Sequence, residues 1–213
     1  IGINGFGRIG RLILRAILEN YKDKIEVVAI NDLGSIETNA HLIKYDSTHG
    51  IINEEIKTSK DGFKIANHSI KVFAEKDPIN IPWNKVGADV VLECTGIFLN
   101  KILAEKHIKA GAKKVIISAP AKEVDFTIVQ GVNSKQLKKN HNIISNGSCT
   151  TNCLAPVAMV IEQTFGINYG YMTTVHSYTG DQKLLDTLHK DLRRARATEG
   201  AMIPTSTGAA KAM

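Results

Sequence analysis

Ile1-Gly2-Ile3-Asn4-Gly5-Phe6-Gly7-Arg8-Ile9-Gly10 opens the chain, and Asp32 ends the next apolar run 22 residues after Gly10. The first three residues read as a buried strand. Beyond the glycines, Ile9, Leu12, Ile13, Ala16 and Ile17 recur at i, i+3, i+4 spacing, which predicts an amphipathic helix ending near Asn20. Ile25 to Ile30 then predicts a second buried strand, closed by Asn31-Asp32. Strand, glycine turn, helix, strand is one βαβ unit and implies a parallel sheet. In that context each glycine has a physical task. Gly5 permits the tight turn, Gly7 lets backbone approach a pyrophosphate, and Gly10 lets the helix pack closely on the sheet. The helix N-terminus offers unpaired N–H groups and a positive dipole end to the phosphates. Asp32 would accept hydrogen bonds from ribose hydroxyls, and its charge disfavours an additional phosphate there. The competing reading is a plain turn whose glycines serve packing alone.

Outward from this unit the same pattern continues. A second helix is expected over Ile36 to Tyr45, and short alternating strands from Glu54 to Glu75 with turns at Asp61-Gly62 and Asn67-His68. Pro78, Pro82 and Trp83 mark a loop. Strand Asp89–Glu93, helix Asn100–Ala110 and strands Lys114–Ser118, Phe126–Val129 and Asn142–Ser145 complete a doubly wound sheet. A long helix is expected from Thr150 to Phe165, then a strand from Tyr171 to Tyr178. Gly180 to Ala201 is polar and basic without a period and reads as a long loop, a type that is usually functional. The fold expected is α/β: a Rossmann domain over 1–148, then the start of an α+β catalytic domain over 149–213. The chain stops at Met213 without a closing element, so a further C-terminal portion is expected.

Composition bounds the function classes. Hydrophobic residues make up 43% of the 213, enough for a real core. No run approaches the roughly 18 apolar residues that span a bilayer, and there is no cleavable leader pattern, so a cytoplasmic protein is expected. The net charge of +6 is spread along the chain, densest around Lys190, Arg193, Arg194 and Arg196, and suits small anions as well as nucleic acid. No stacking sheet or recognition-helix motif supports nucleic acid. Three cysteines in a chain without secretory features argue against disulfides and turn attention to thiol reactivity.

Ser148-Cys149-Thr150-Thr151-Asn152-Cys153 lies where the last strand meets the long helix. A cysteine on the first helical turn has its thiolate favoured by the dipole, whereas Cys153, one turn later, feels less of that field. A metal site would need ligands that the sequence does not supply at sensible spacing, and a redox dithiol usually has two intervening residues. Cys94, ending a buried strand, reads as packing. His41, His49, His68, His107, His141 and His189 fall in helices or polar loops where surface or structural roles are the default. His176, on the expected strand Tyr171–Tyr178, sits on an element rigid enough for a base. A base and a satisfied sheet histidine both remain open there.

Asn4-Gly5-Phe6-Gly7-Arg8-Ile9-Gly10-Arg11, Ser145-Asn146-Gly147-Ser148-Cys149-Thr150-Thr151-Asn152-Cys153-Leu154-Ala155-Pro156 and Pro204-Thr205-Ser206-Thr207-Gly208-Ala209-Ala210-Lys211 together resemble the phosphorylating glyceraldehyde-3-phosphate dehydrogenases. Leu42 to Ser47 and Ser118 to Lys122 fit as well, and the resemblance runs the length of the chain. It implies Cys149 as nucleophile and His176 as its base. It implies NAD held by Gly5, Gly7, Arg8, Ile9, Gly10 and Asp32, with Lys76 near the adenine and Thr95, Gly96 and Ser118 on the nicotinamide side. Ser148, Thr150, Thr207 and Gly208 match the site for inorganic phosphate, Thr179 matches that for the phosphate of glyceraldehyde 3-phosphate, and Arg194 lends charge to phosphate binding. A homotetramer, a place in glycolysis and no metal are also implied. Gly147 stands where the family usually has Ala. Thr187-Leu188 and Gly34 depart from strictly NAD-using members, which leaves NADP use open. The rival readings are an erythrose-4-phosphate dehydrogenase and a catalytically silent NAD-binding module.

Overall fold

The computed structural model describes residues 1–200 and 202–207. They divide into two compact units, Ile1–Ser148 and the remainder from Cys149. The first unit is built on a nine-stranded sheet of order β10-β11-β9-β8-β1-β2-β7-β6-β5. Its strands are β1 (Gly2–Asn4), β2 (Ala29–Asn31), β5 (Ile56–Ser59), β6 (Gly62–Ile65), β7 (His68–Phe73), β8 (Val90–Glu93), β9 (Lys114–Ile117), β10 (Phe126–Thr127) and β11 (Ile143–Ser145). From β10 through β7 all pairings are parallel, and β6 and β5 add an antiparallel edge. A separate antiparallel pair joins β3 (Tyr45–Asp46) and β4 (Gly50–Ile51). The helices of this unit are α1 (Arg8–Asn20), α2 (Ile36–Lys44) and α3 (Lys101–Lys109).

Strand order reverses at β1, which pairs β2 on one side and β8 on the other. Ligands of open α/β sheets bind beyond the carboxyl ends of the strands at such a point. One core beneath it gathers Ile3, Leu14, Ile17, Ile30 and Ile43, and another gathers Val115, Ile117 and Ile143. The run predicted as a strand from Ile25 enters the ladder late. Val27 N–H donates to the His68 ring Nδ1 (3.1 Å), and regular pairing starts only at Ala29. Trp83, read as a loop residue, is wholly buried in the short 3-10 turn Trp83–Val86, its ring against Gly2.

In the second unit α4 (Cys149–Phe165) starts at Cys149. The strand expected over Tyr171–Tyr178 does not form. The segment pairs with no strand among the described residues, and Tyr171 and Val175 are 99% and 90% exposed. Alternation supplies side chains for a strand, but a ladder needs a neighbour to receive its N–H and C=O groups. The run after Gly180 is a loop with one 3-10 turn, Leu192–Ala195. Among the described residues no helix is long and apolar enough to cross a membrane, and no group of three His, Cys, Asp or Glu residues could hold a metal ion.

Candidate active site

The dinucleotide candidates of the first unit converge beyond β1, β2 and β8. Gly5 has φ +86° and donates its N–H to Asn31 O (2.8 Å). A Cβ on it would lie 2.8 Å from Thr95 N, so both the left-handed backbone and the close approach require glycine. A Cβ on Gly10 would lie 2.3 Å from Gly5 O, as expected for α1 packed tightly under the turn. At Gly7 a Cβ would meet nothing within 4 Å and would project into the open space at the start of α1. Ser35 caps α2 and Asn100 caps α3 by side-chain oxygens, whereas Gly7 gives α1 no side-chain cap. Its first N–H groups are left to a ligand or water. Asp32 Oδ2 accepts from Phe6 N and Oδ1 from Gly34 N, both at 2.8 Å, so the carboxylate is held while it keeps lone pairs for hydroxyls. These features fit a bound dinucleotide.

The remaining candidates of this unit surround that centre. Arg8 pairs with buried Asp46, and Ile9 is 48% exposed. Lys76 is exposed after Glu75, whose backbone N–H donates to Asn31 Oδ1 (2.8 Å). Thr95 N donates to Glu93 Oε1 (2.8 Å), and Gly96 follows with φ +73°. Ser118 N donates to Glu93 O (3.0 Å). Burial pushes the neighbouring Cys94 thiol up to about 11, although the Ser118 hydroxyl bonds to it, so Cys94 is inert at neutral pH.

The second unit brings Cys149 and His176 together although 27 residues separate them, with Sγ and Nε2 3.0 Å apart. The ring is oriented by Nδ1, which donates to Ser177 O (2.6 Å) and leaves Nε2 for the sulfur. His176 is therefore held by its own backbone turn and not by a sheet. The hydrogen bond from His176 is the largest influence lowering the Cys149 thiol below its ordinary value, and Thr150 adds its N–H and hydroxyl. The Ser177 carbonyl, then the sulfur, raise the His176 imidazole. Opposite shifts in two touching groups favour the charged form of each, thiolate and imidazolium. Cys153 is exposed and unpaired with another thiol.

A second polar cluster forms in the basic loop. Arg194 pairs with Asp181 and donates NH2 to Thr205 Oγ1 (3.0 Å). Thr179 donates its N–H and hydroxyl to Gln182 Oε1 at 2.7 and 2.9 Å, and Asp181 N donates weakly to Thr179 Oγ1 (3.4 Å). Thr179 and Arg194 are thus joined through Asp181. Ser148 and Thr150 are half-buried beside Cys149, and Thr207 is exposed. Gly208 lies outside the described residues. Sequence reasoning missed Asp181, Gln182 and Thr205 as the groups that hold this cluster, because only folding reveals which carboxylate an arginine meets.

Residues 1–101 match the family model for the glyceraldehyde 3-phosphate dehydrogenase NAD binding domain, and residues 148–213 match that for the C-terminal domain. The chain belongs to the glyceraldehyde-3-phosphate dehydrogenase family. It is 56% identical over its whole length to a glyceraldehyde-3-phosphate dehydrogenase of Xanthobacter flavus, and covers 64% of it. It is 57% identical to those of Streptomyces coelicolor and Geobacillus stearothermophilus, again over all of this chain and 63% of each relative. The chain therefore spans somewhat less than two thirds of the length of these relatives.

Proposed function

We propose that this chain carries the nucleotide-binding and nucleophilic parts of an NAD-dependent, phosphorylating glyceraldehyde-3-phosphate dehydrogenase. The reaction converts D-glyceraldehyde 3-phosphate and inorganic phosphate to 1,3-bisphosphoglycerate, in the cytoplasm and in a homotetramer. The observation that carries the reading is the 3.0 Å contact between Cys149 Sγ and His176 Nε2.

Cys149, as thiolate, forms an S–C bond to the aldehyde carbon, and the imidazolium of His176 gives its proton to the oxygen that becomes negative. The resulting thiohemiacetal hydroxyl then returns this proton to the neutral imidazole as the C–H bond breaks. NAD, when bound, supplies the acceptor for the departing hydride. Cys149 is left as a thioester. An oxygen of inorganic phosphate attacks that carbonyl, and the thiolate leaves, so the oxidation energy is kept in an acyl phosphate. A positioned general acid–base of this kind contributes about 10²–10⁴-fold.

In this reading residues 1–148 bind NAD and residues 149–213 begin the catalytic domain. Gly5, Gly7, Gly10 and the start of α1 take the pyrophosphate, with Arg8 and Ile9 beside them. Asp32 takes the adenosine ribose, Lys76 lies near the adenine, and Thr95, Gly96 and Ser118 face the nicotinamide. Ser148, Thr150, Thr207 and Gly208 serve inorganic phosphate, and Thr179 and Arg194 serve the phosphate of the substrate, where a guanidinium gives directed charge-assisted bonds. Asp32 favours NAD over NADP.

The test is NAD reduction by the full-length protein with glyceraldehyde 3-phosphate, with and without inorganic phosphate, beside Cys149→Ser. Turnover is expected to require phosphate and to fall by about 10³-fold or more in the variant, since the step has no other nucleophile. Steady turnover indifferent to phosphate would overturn the reading and point to a hydrolytic aldehyde dehydrogenase.

A further inference from the structure

Glu93 ends β8 and is 1% exposed, yet no part of the chemistry above uses it. A buried carboxylate is costly unless its oxygens are satisfied. Here they are satisfied from several elements at once. Oε2 accepts from Asn4 Nδ2 (2.6 Å) and His107 Nε2 (3.0 Å). Oε1 accepts from Thr95 N (2.8 Å) and from the Thr95 hydroxyl. All four donor groups, from three residues, point at it, so the group stands as an acceptor only.

The relay behind it has one consistent set of directions. Trp83 Nε1, which can only donate, gives its proton to His107 Nδ1 (3.0 Å). The ring N–H of His107 is therefore on Nε2 and aimed at Glu93. On the other side Asn4 Oδ1 accepts from Asn31 Nδ2 (2.7 Å), which also donates to Glu75 O (2.9 Å). The amide of Asn4 thus has its nitrogen toward Glu93 and its oxygen toward Asn31. This chain of bonds crosses the carboxyl ends of β8, β1 and β2, and a buried network with every member satisfied specifies one geometry. The backbone carbonyl of Glu93 also accepts from Ser118 N (3.0 Å).

We propose that Glu93 is the positioning residue of the nicotinamide side of the dinucleotide site: its carboxylate holds the Thr95–Gly96 turn, and Asn4, His107 and Trp83 hold the carboxylate. The proposal rests on the reading that residues 1–148 bind NAD. Thr95 N–H and hydroxyl are both drawn to Oε1, and the same hydroxyl accepts from Ile97 N (3.1 Å), so a single oxygen fixes the start of the turn. The adenosine side has restraints of its own, Gly5 N to Asn31 O and Phe6 N to Asp32 Oδ2, and this carboxylate reaches it only indirectly, through the Asn4 and Asn31 side chains. Glu93→Gln keeps the shape but sets an NH2 group against donors on one side or the other.

The experiment compares calorimetric titrations of NAD and of ADP-ribose, which lacks the nicotinamide, into the full-length wild type, E93Q and E93D. In E93Q the NAD dissociation constant is expected to rise about tenfold, the scale of one hydrogen bond to a charged group, while that of ADP-ribose changes by less than about twofold. E93D, which keeps the charge but withdraws the carboxylate from Thr95 by one methylene, is expected to give the same split and decides the matter should E93Q not fold. Equal weakening of both ligands would make Glu93 a general structural residue and overturn the proposal, as would no change for either. Wild type that binds neither ligand would instead overturn the NAD-binding reading, and the proposal with it.

Discussion

Residues 1–148 and residues from 149 onward are held by different forces. In the first unit Ile3, Leu14, Ile30, Val91, Val115 and Ile117 are completely removed from solvent, and polar groups at the strand ends are satisfied by side chains such as Asn4 and Glu93. In the second, Thr151 is the one buried residue among the described residues, and Phe165 of α4 is 85% exposed. Its loop is tied instead by polar contacts: Asp181 with Arg194 and His189, Asp186 with Arg196, and Thr198 with the Lys183 carbonyl. Burial of a large aliphatic side chain contributes about 1.5–3 kcal/mol, whereas an exposed ion pair contributes about 0–1. Within these 213 residues apolar packing is concentrated in the first unit, while Cys149 and His176 sit on the part of the chain with the least apolar burial. Their alignment rests on a few directed bonds, and those bonds are where substitution should act most strongly.

The largest effect expected is on that pair. His176→Asn should lower turnover of the full-length enzyme by about 10²–10⁴-fold. It should also change the pH profile of Cys149 alkylation. The contact with His176 depresses the thiol, so wild type should be alkylated rapidly below the ordinary thiol midpoint. In the variant the midpoint should rise toward about 8.5, with labelling at pH 7 slowed accordingly. An unmoved midpoint would mean that packing around Cys149, and not a directed bond, sets its reactivity.

Next in size is the contrast in packing. Ile30→Ala should destabilise the chain by about 2–5 kcal/mol, read from the urea midpoint. Phe165→Ala in the same chain should change it by no more than about 0.5 kcal/mol. A comparable loss at both sites would erase the distinction between the units. The smallest effect tests local structure within the first unit. Ser35→Ala removes the oxygen that accepts from Thr38 N (3.1 Å) and should cost about 1 kcal/mol. A loss of that size confirms that α2 depends on its cap as well as on the core below it.

Much of the first unit was readable in advance because its signals are local. Glycine at positions 5, 7 and 10, the 3.6-residue period of α1 and apolar runs for β8 and β9 each record a constraint met by neighbours in sequence. The same holds for Cys149, whose place at the start of α4 follows from the strand–turn–helix order. Two elements misled. Ile25 to Val28 has strand composition, but the His68 ring takes the Val27 N–H. Tyr171 to Tyr178 alternates, but finds no partner strand among the described residues.

The sequence by itself determined the order of elements, the glycine turn with Asp32, and the place of Cys149 at the start of a helix, since each depends on spacing that short-range sterics and hydrogen bonding enforce. Only the tertiary structure decided that the His176 ring reaches Cys149 from a backbone turn and not from a strand, that Asp181 joins Arg194 to Thr179, and that Trp83, His107, Glu93 and Asn4 form one buried chain. Apart from Asp181 with its near neighbour Thr179, those pairings join groups from 13 to 89 residues apart. No local pattern encodes them, because the partner of a buried polar group is chosen by which side chains the packed sheet and loop bring within about 3 Å, the reach of a hydrogen bond.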